Sequence, residues 1–100
     1  MGAKSTLLVA YDVSTITLAG RRRLRRVAKV CLNYGQRVQF SLFECQVDAA
    51  QSYLLERDLL DIINLDMDNL RIYKLGLRSL TELKAYGKKH PVDLDGPLIV

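Results

Sequence analysis

Between residues 6 and 13 the chain reads TLLVAYDV, apolar at every position except its first and Asp12. A continuous apolar run of this length predicts a strand covered on both faces or central in its sheet. A polar connection ending in glycine, STITLAG (14–20), follows it. From Gly20 to Asn33 the period changes. Leu24, Val27, Ala28 and Cys31 recur at i, i+3, i+4, i+7 with Val30 and Tyr34 beside them, and Arg22, Arg25, Arg26 and Lys29 take the opposite side. That is an amphipathic helix, and Gly35 stands where a helix-ending glycine belongs. QRVQFSLFECQV (36–47) then alternates, which predicts one second strand. Val38, Phe40 and Leu42 would face the helices from it, with Arg37, Gln39, Ser41 and Phe43 on the other side.

Asp48 occupies an N-cap position before a second helix over residues 49–63, whose core face is Leu55, Leu59, Ile62 and Ile63. LDMDN (65–69) reads as a turn and LRIYKL (70–75) as a third strand. Leu77, Leu80 and Leu83 suit either a short helical turn or an irregular strand. YGKKHPVDLDG (86–96) reads as a loop. The apolar tail PLIV (97–100) either stays unpaired or adds to a sheet edge, in its own protomer or a partner's. The order is that of an α+β, ferredoxin-like βαββαβ sandwich with a short extra C-terminal strand. Residues 1–100 make one domain, with 1–5 an artificial or unstructured leader and 90–100 a C-terminal extension. Two helices cover one face of the sheet. The open face then predicts a homodimer packed through sheet faces.

Charge changes this picture more than composition does. Of 100 residues, 49% are hydrophobic and 26% charged, which is ordinary for a globular domain. The longest uncharged apolar run falls well short of the ~18 residues of a membrane span. No secretory leader pattern opens the chain, so a cytoplasmic location is expected. The net charge of +4 is unevenly spread: residues 1–46 carry eight Lys/Arg against Asp12 and Glu44, while residues 47–100 carry seven against nine acids. A basic half of this kind suits a polyanion, nucleic acid above all.

Three groups of residues carry candidate chemistry. Asp12, at the C-terminal end of an apolar strand, sits where catalytic groups are often placed; it equally suits a turn cap or an ion pair with an arginine. RRRLRR (21–26) puts Arg22, Arg25 and Arg26, with Lys29, on one helix face, Arg21 and Arg23 falling to its sides. Arginine grips phosphate bidentately, so such a face holds a nucleic-acid backbone without reading sequence. The third is the strand face of Arg37, Gln39, Ser41 and Phe43, suited to a symmetric partner or to a nucleic-acid strand. Cys31 and Cys45 lack metal-ligand spacing and read as small buried hydrophobes. Asp66, Asp68, Asp93 and Asp95 lie in turns, where aspartate is common anyway. A lone His90 makes a nucleophilic triad implausible.

VAYDVS at the end of the first strand, AGRRRLRRVAKV in the first helix and YGQRVQFSLFEC beyond it together resemble CRISPR-associated protein two, the smaller core protein of spacer acquisition. The resemblance spans residues 7–75. It implies a ferredoxin-like homodimer whose C-terminal strand adds to the partner's sheet. It also implies an Mg-dependent endonuclease on single-stranded RNA or double-stranded DNA, with Asp12 of each protomer as metal ligand. Tyr11, Arg22, Arg23, Arg26, Arg37, Ser41 and Phe43 match positions linked to activity or nucleic-acid contact; Arg25 joins them from its place on the helix face. A second role implied is architectural: the dimer bridges the larger CRISPR integrase subunit and holds the DNA spacer precursor, with no need of the aspartate's chemistry. Both stand as expectations.

Overall fold

A computed structural model describes residues 3–76 and 80–88. Strand β1 (Ser5–Asp12) is followed by α1 (Leu18–Leu32), the hairpin β2 (Gly35–Gln39) and β3 (Leu42–Val47), α2 (Ala49–Ile62), β4 (Asn69–Leu75) and β5 (Leu80–Gly87). The five strands form one antiparallel sheet in the order β2-β3-β1-β4-β5. The first four strands and two helices have the ferredoxin-like arrangement, and β5 extends it beyond β4. The continuous apolar run does lie at the centre. Leu7, Val9 and Tyr11 point into the core, and Leu8 and Ala10 face the other way, half-buried.

Each helix begins at a side-chain cap. The Thr17 side chain accepts the Gly20 amide at 3.0 Å, so α1 starts two residues before the glycine at which the sequence placed it. Its inward side carries Val27 and Cys31, with Leu24 and Ala28 against the same core. Asp48 caps α2 through a reciprocal capping box with Gln51 (2.8 and 3.0 Å), as its position promised. Leu55, Leu59, Ile62 and Ile63 are all buried.

Residues 36–47 are not one strand but two, turning at Phe40–Ser41. The turn uses no left-handed residue among the described positions, so the Asn-Gly type of signal is absent. A bulge between Arg37 and Gln39 takes up the misfit instead. The turn also reverses the expected facing. Val38 and Phe40 are exposed (51% and 83%), whereas Phe43 is fully buried among the core residues opposite Val9. Leu42 pairs with Ala10 on the face away from the helices.

Gly35 does not end α1, whose C-cap is Asn33. It opens β2, where a Cβ would stand 2.1 Å from the Glu44 carbonyl oxygen; only glycine allows this approach to β3. Leu80 and Leu83 belong to an eight-residue strand, irregular as the second alternative had it, since its register with β4 shifts between Lys74 and Leu75; it also takes in Tyr86 and Gly87 from the stretch read as loop. Ser5 already belongs to β1 rather than to a leader. Leu77, His90, the Asp93/Asp95 pair and the PLIV tail lie outside the described residues.

Candidate functional site

Asp12 is the last residue of β1 and is exposed. It pairs across the ladder with Asn69, so both side chains stand on the face away from the helices. Ala10, Leu8 and Leu42 share that face with Arg71 and Tyr73. Asp12 therefore borders a broad, partly apolar surface, with an amide oxygen opposite it.

The main chain is held on both sides of Asp12. Before it, the Tyr11 amide donates to the Ser41 carbonyl at 3.1 Å, which ties the hairpin tip to the end of β1. Beyond it, Val13 is buried and the Ser14 amide donates to Asp68 Oδ1 at 3.0 Å.

Tyr11 is buried, and its ring stacks on Phe43 with centroids 6.0 Å apart and planes 19° from parallel. The Arg37 guanidinium lies over Phe43 at 5.1 Å and over Phe40 at 5.8 Å, a contact of cation–π type. Burial raises the Tyr11 phenol pKa, a coulombic contribution from Cys31 adds to this, and the charge of Arg37 partly offsets it. The structure thus brings Tyr11, Arg37 and Phe43 together on the helix side of the sheet, the face opposite to that of the Asp12 side chain. Ser41 joins them through its carbonyl alone, bonded to the Tyr11 amide.

The helix arginines divide. Arg22, Arg25, Arg26 and Lys29 are exposed and have no ion pair among the described residues. Arg23 is different: its Nε and Nη2 donate to Asp68 Oδ2 and Oδ1 at 2.8 and 3.2 Å, with its side chain only 14% exposed. Asp68 itself is completely buried and also accepts the Asn64 amide at 2.8 Å. Burial alone would raise its pKa; the Arg23 hydrogen bonds, the Asn64 and Ser14 amides and the Arg23 charge outweigh burial and hold it below the usual carboxylate range. Nothing local in LDMDN marks Asp68, because its partners Arg23 and Ser14 are 45 and 54 residues away.

Cys31 and Cys45 are free, buried thiols pushed up to about 12 and about 11, mainly by burial. They behave as the small hydrophobes the sequence suggested. Among the described residues no three His, Cys, Asp or Glu side chains group so as to hold a metal ion. No helix of the described chain is long and apolar enough to cross a membrane.

Known proteins resemble this chain over almost its full length. The family described as CRISPR associated protein Cas2 matches residues 5–82. A CRISPR-associated endoribonuclease Cas2 of Chlorobaculum tepidum is 54% identical over 94 residues, covering 94% of this chain and 98% of that one. A CRISPR-associated endonuclease Cas2 of Halalkalibacterium halodurans is 48% identical, covering 93% and 97%. The crystal structure of Streptococcus pyogenes Cas2 at pH 6.5 superposes with a TM-score of 0.68 at 51% identity, over 73% of this chain and 88% of that one.

Proposed function

The chain belongs to the CRISPR-associated protein Cas2 family, and from that premise we propose that it is a cytoplasmic CRISPR adaptation protein. It works as a homodimer joined through the open sheet face, binds nucleic acid on α1 and hydrolyses phosphodiester bonds at a pair of Asp12 carboxylates. The observation that carries this reading is the placement of Asp12: exposed, at a strand end, on the face left open by the helices. A second copy packed there supplies a second carboxylate, so the site is completed by the dimer.

The residues fit a hard divalent cation such as Mg²⁺ in chemistry. Asp12 offers carboxylate oxygen and Asn69 an amide oxygen on the same face, the donors such ions prefer. When bound, Mg²⁺ supplies Lewis acidity at the phosphate oxygens. The chain's own residues do the rest. Arg22, Arg25, Arg26 and Lys29 hold the phosphate backbone of DNA or single-stranded RNA. Arg37, braced over Phe43 and Phe40, adds an exposed cation at the hairpin for the phosphate backbone. Tyr11 and Ser41 keep that end in place. Arg23 supports the loop from its ion pair with Asp68 rather than from the phosphate-facing surface.

The experiment is cleavage of RNA and duplex DNA by the pure protein, with Mg²⁺ and with chelator. Cutting that needs Mg²⁺ and disappears in Asp12→Asn is expected; cutting that persists in that variant refutes the assignment. A second reading is favoured by the exposed face of Arg22, Arg25, Arg26 and Lys29, which can hold a phosphate backbone without any chemistry at Asp12. In it the dimer is a non-catalytic adaptor between nucleic acid and the larger integrase subunit. DNA binding would then survive Asp12→Asn and be lost when Arg22, Arg25 and Arg26 become glutamate; unaltered binding by the charge-reversed protein refutes the adaptor.

A further inference from the structure

Asp68 lies where several stretches of backbone meet. Its carboxylate accepts Ser14 N–H at 3.0 Å from beyond β1, Arg23 at 2.8 and 3.2 Å from α1, and Asn64 N–H at 2.8 Å from beyond α2. Its carbonyl accepts Lys88 N–H at 2.8 Å, just beyond β5. Gly87 makes that last approach possible. Its φ is +103°, and a Cβ there would lie 2.0 Å from the Asp68 carbonyl oxygen.

A buried ion pair is weak evidence for stability, since apolar residues of similar volume often hold a junction as well. An apolar contact cannot fix a direction, however. Donors arriving from three segments orient the Asp68 carboxylate, and through Ser14 N–H that carboxylate fixes the main chain two residues past Asp12. With Tyr11 N–H held by Ser41 on the other side, the exposed Asp12 rides on backbone tethered before and after it.

We propose that Asp68 is a positioning residue for Asp12: the buried carboxylate fixes the end of β1 and so sets the direction in which the Asp12 carboxylate meets a divalent cation. This rests on the reading of Asp12 as a metal-binding group. Groups that orient a metal's ligands typically change metal affinity by about 10–100-fold when removed.

The test is an Mn²⁺ titration of the ¹⁵N-labelled full chain, read as paramagnetic broadening of the Asp12 and Val13 amides, together with exchange of the Ser14 amide. Asp68→Asn keeps the side chain's size, and it is expected to raise the Mn²⁺ midpoint about tenfold or more and to speed Ser14 exchange. Glu56→Gln loosens a different carboxylate, bonded to Lys84 and Tyr86, and should leave the midpoint where it was even as it lowers the melting temperature. Should Asp68→Asn fail to fold, Arg23→Gln leaves the carboxylate on its two amides and should raise the midpoint less, in the same direction. An unchanged midpoint in the folded variant, beside a wild type that broadens at Asp12, overturns the positioning role alone. No broadening at Asp12 in the wild type overturns the metal reading, and the positioning role with it.

Discussion

Removing Asp68 should destabilise this chain more than removing any other acid whose contacts are described. Asp68→Ala strands the Arg23 guanidinium, 14% exposed, together with two backbone amides that donated at 3.0 and 2.8 Å. Breaking one partner of a buried ion pair costs about 3–5 kcal/mol. A domain of this size is stable by only ~5–15 kcal/mol in all, and each kcal/mol lowers its melting temperature by about 4–8 °C. A fall of about 15 °C or more is therefore expected. Arg23→Gln alone should cost less, because the carboxylate keeps both amide donors. Urea melts of wild type, Asp68→Ala, Arg23→Gln and the double variant, at one fixed protein concentration, give the coupling energy directly. It should be about 1.5–3 kcal/mol, the value of a charged hydrogen bond.

The sign of the pH dependence is also fixed. The folded pKa of Asp68 lies below its unfolded value, so its contribution is whole above the unfolded carboxylate pKa and fades as pH falls through the folded one. The penalty of Asp68→Ala should be flat from pH 8 to 5 and shrink below about pH 4. A coupling under ~0.5 kcal/mol, or a penalty that grows towards low pH, would refute the reasoning.

Other outcomes follow from the same geometry. Replacing Arg22, Arg25 and Arg26 by glutamine should weaken duplex binding and flatten the log K against log salt slope by about 0.9 per lost phosphate contact; a salt titration by fluorescence anisotropy reads this. Phe43→Ala removes a fully buried ring stacked on Tyr11 and should cost about 3–5 kcal/mol, whereas Phe40→Ala, at 83% exposure, should leave the urea midpoint nearly unmoved. Cys31 and Cys45, with thiols at about 12 and about 11, should resist a thiol-specific disulfide reagent at pH 8 until urea unfolds the chain.

Periodicity made much of this fold legible. The apolar run of β1, the Leu24–Cys31 stripe of α1, the Asp48 cap and the LRIYKL strand are local patterns that the packed structure keeps. The hairpin was not legible, because Phe40–Ser41 carries none of the glycine or asparagine that usually announces a two-residue turn. The reversal at that turn is also why Phe43 came out on the wrong face. Asp12 and the exposed arginines could be picked out by residue type and position. Asp68 could not: an aspartate in a turn is unremarked until the chain has folded Arg23 and Ser14 against it. The same distance in sequence explains why Arg23 read as one more phosphate-binding arginine.

The contacts of Asp68 also have an order in time. Its bonds to Arg23 and Ser14 close loops of 45 and 54 residues, and such closures are costly until other contacts have drawn the chain together. β1 must find both β3 and β4, and β5 must fold back on β4, before Ser14 can approach the Asp68 carboxylate and Gly87 its carbonyl. The Asp12 end of the sheet is thus a late product of folding. α1, whose Thr17 cap is local to residues 17–20, needs none of these distant closures to form its basic face, whereas the Ser14 end of β1 is anchored only once they are made.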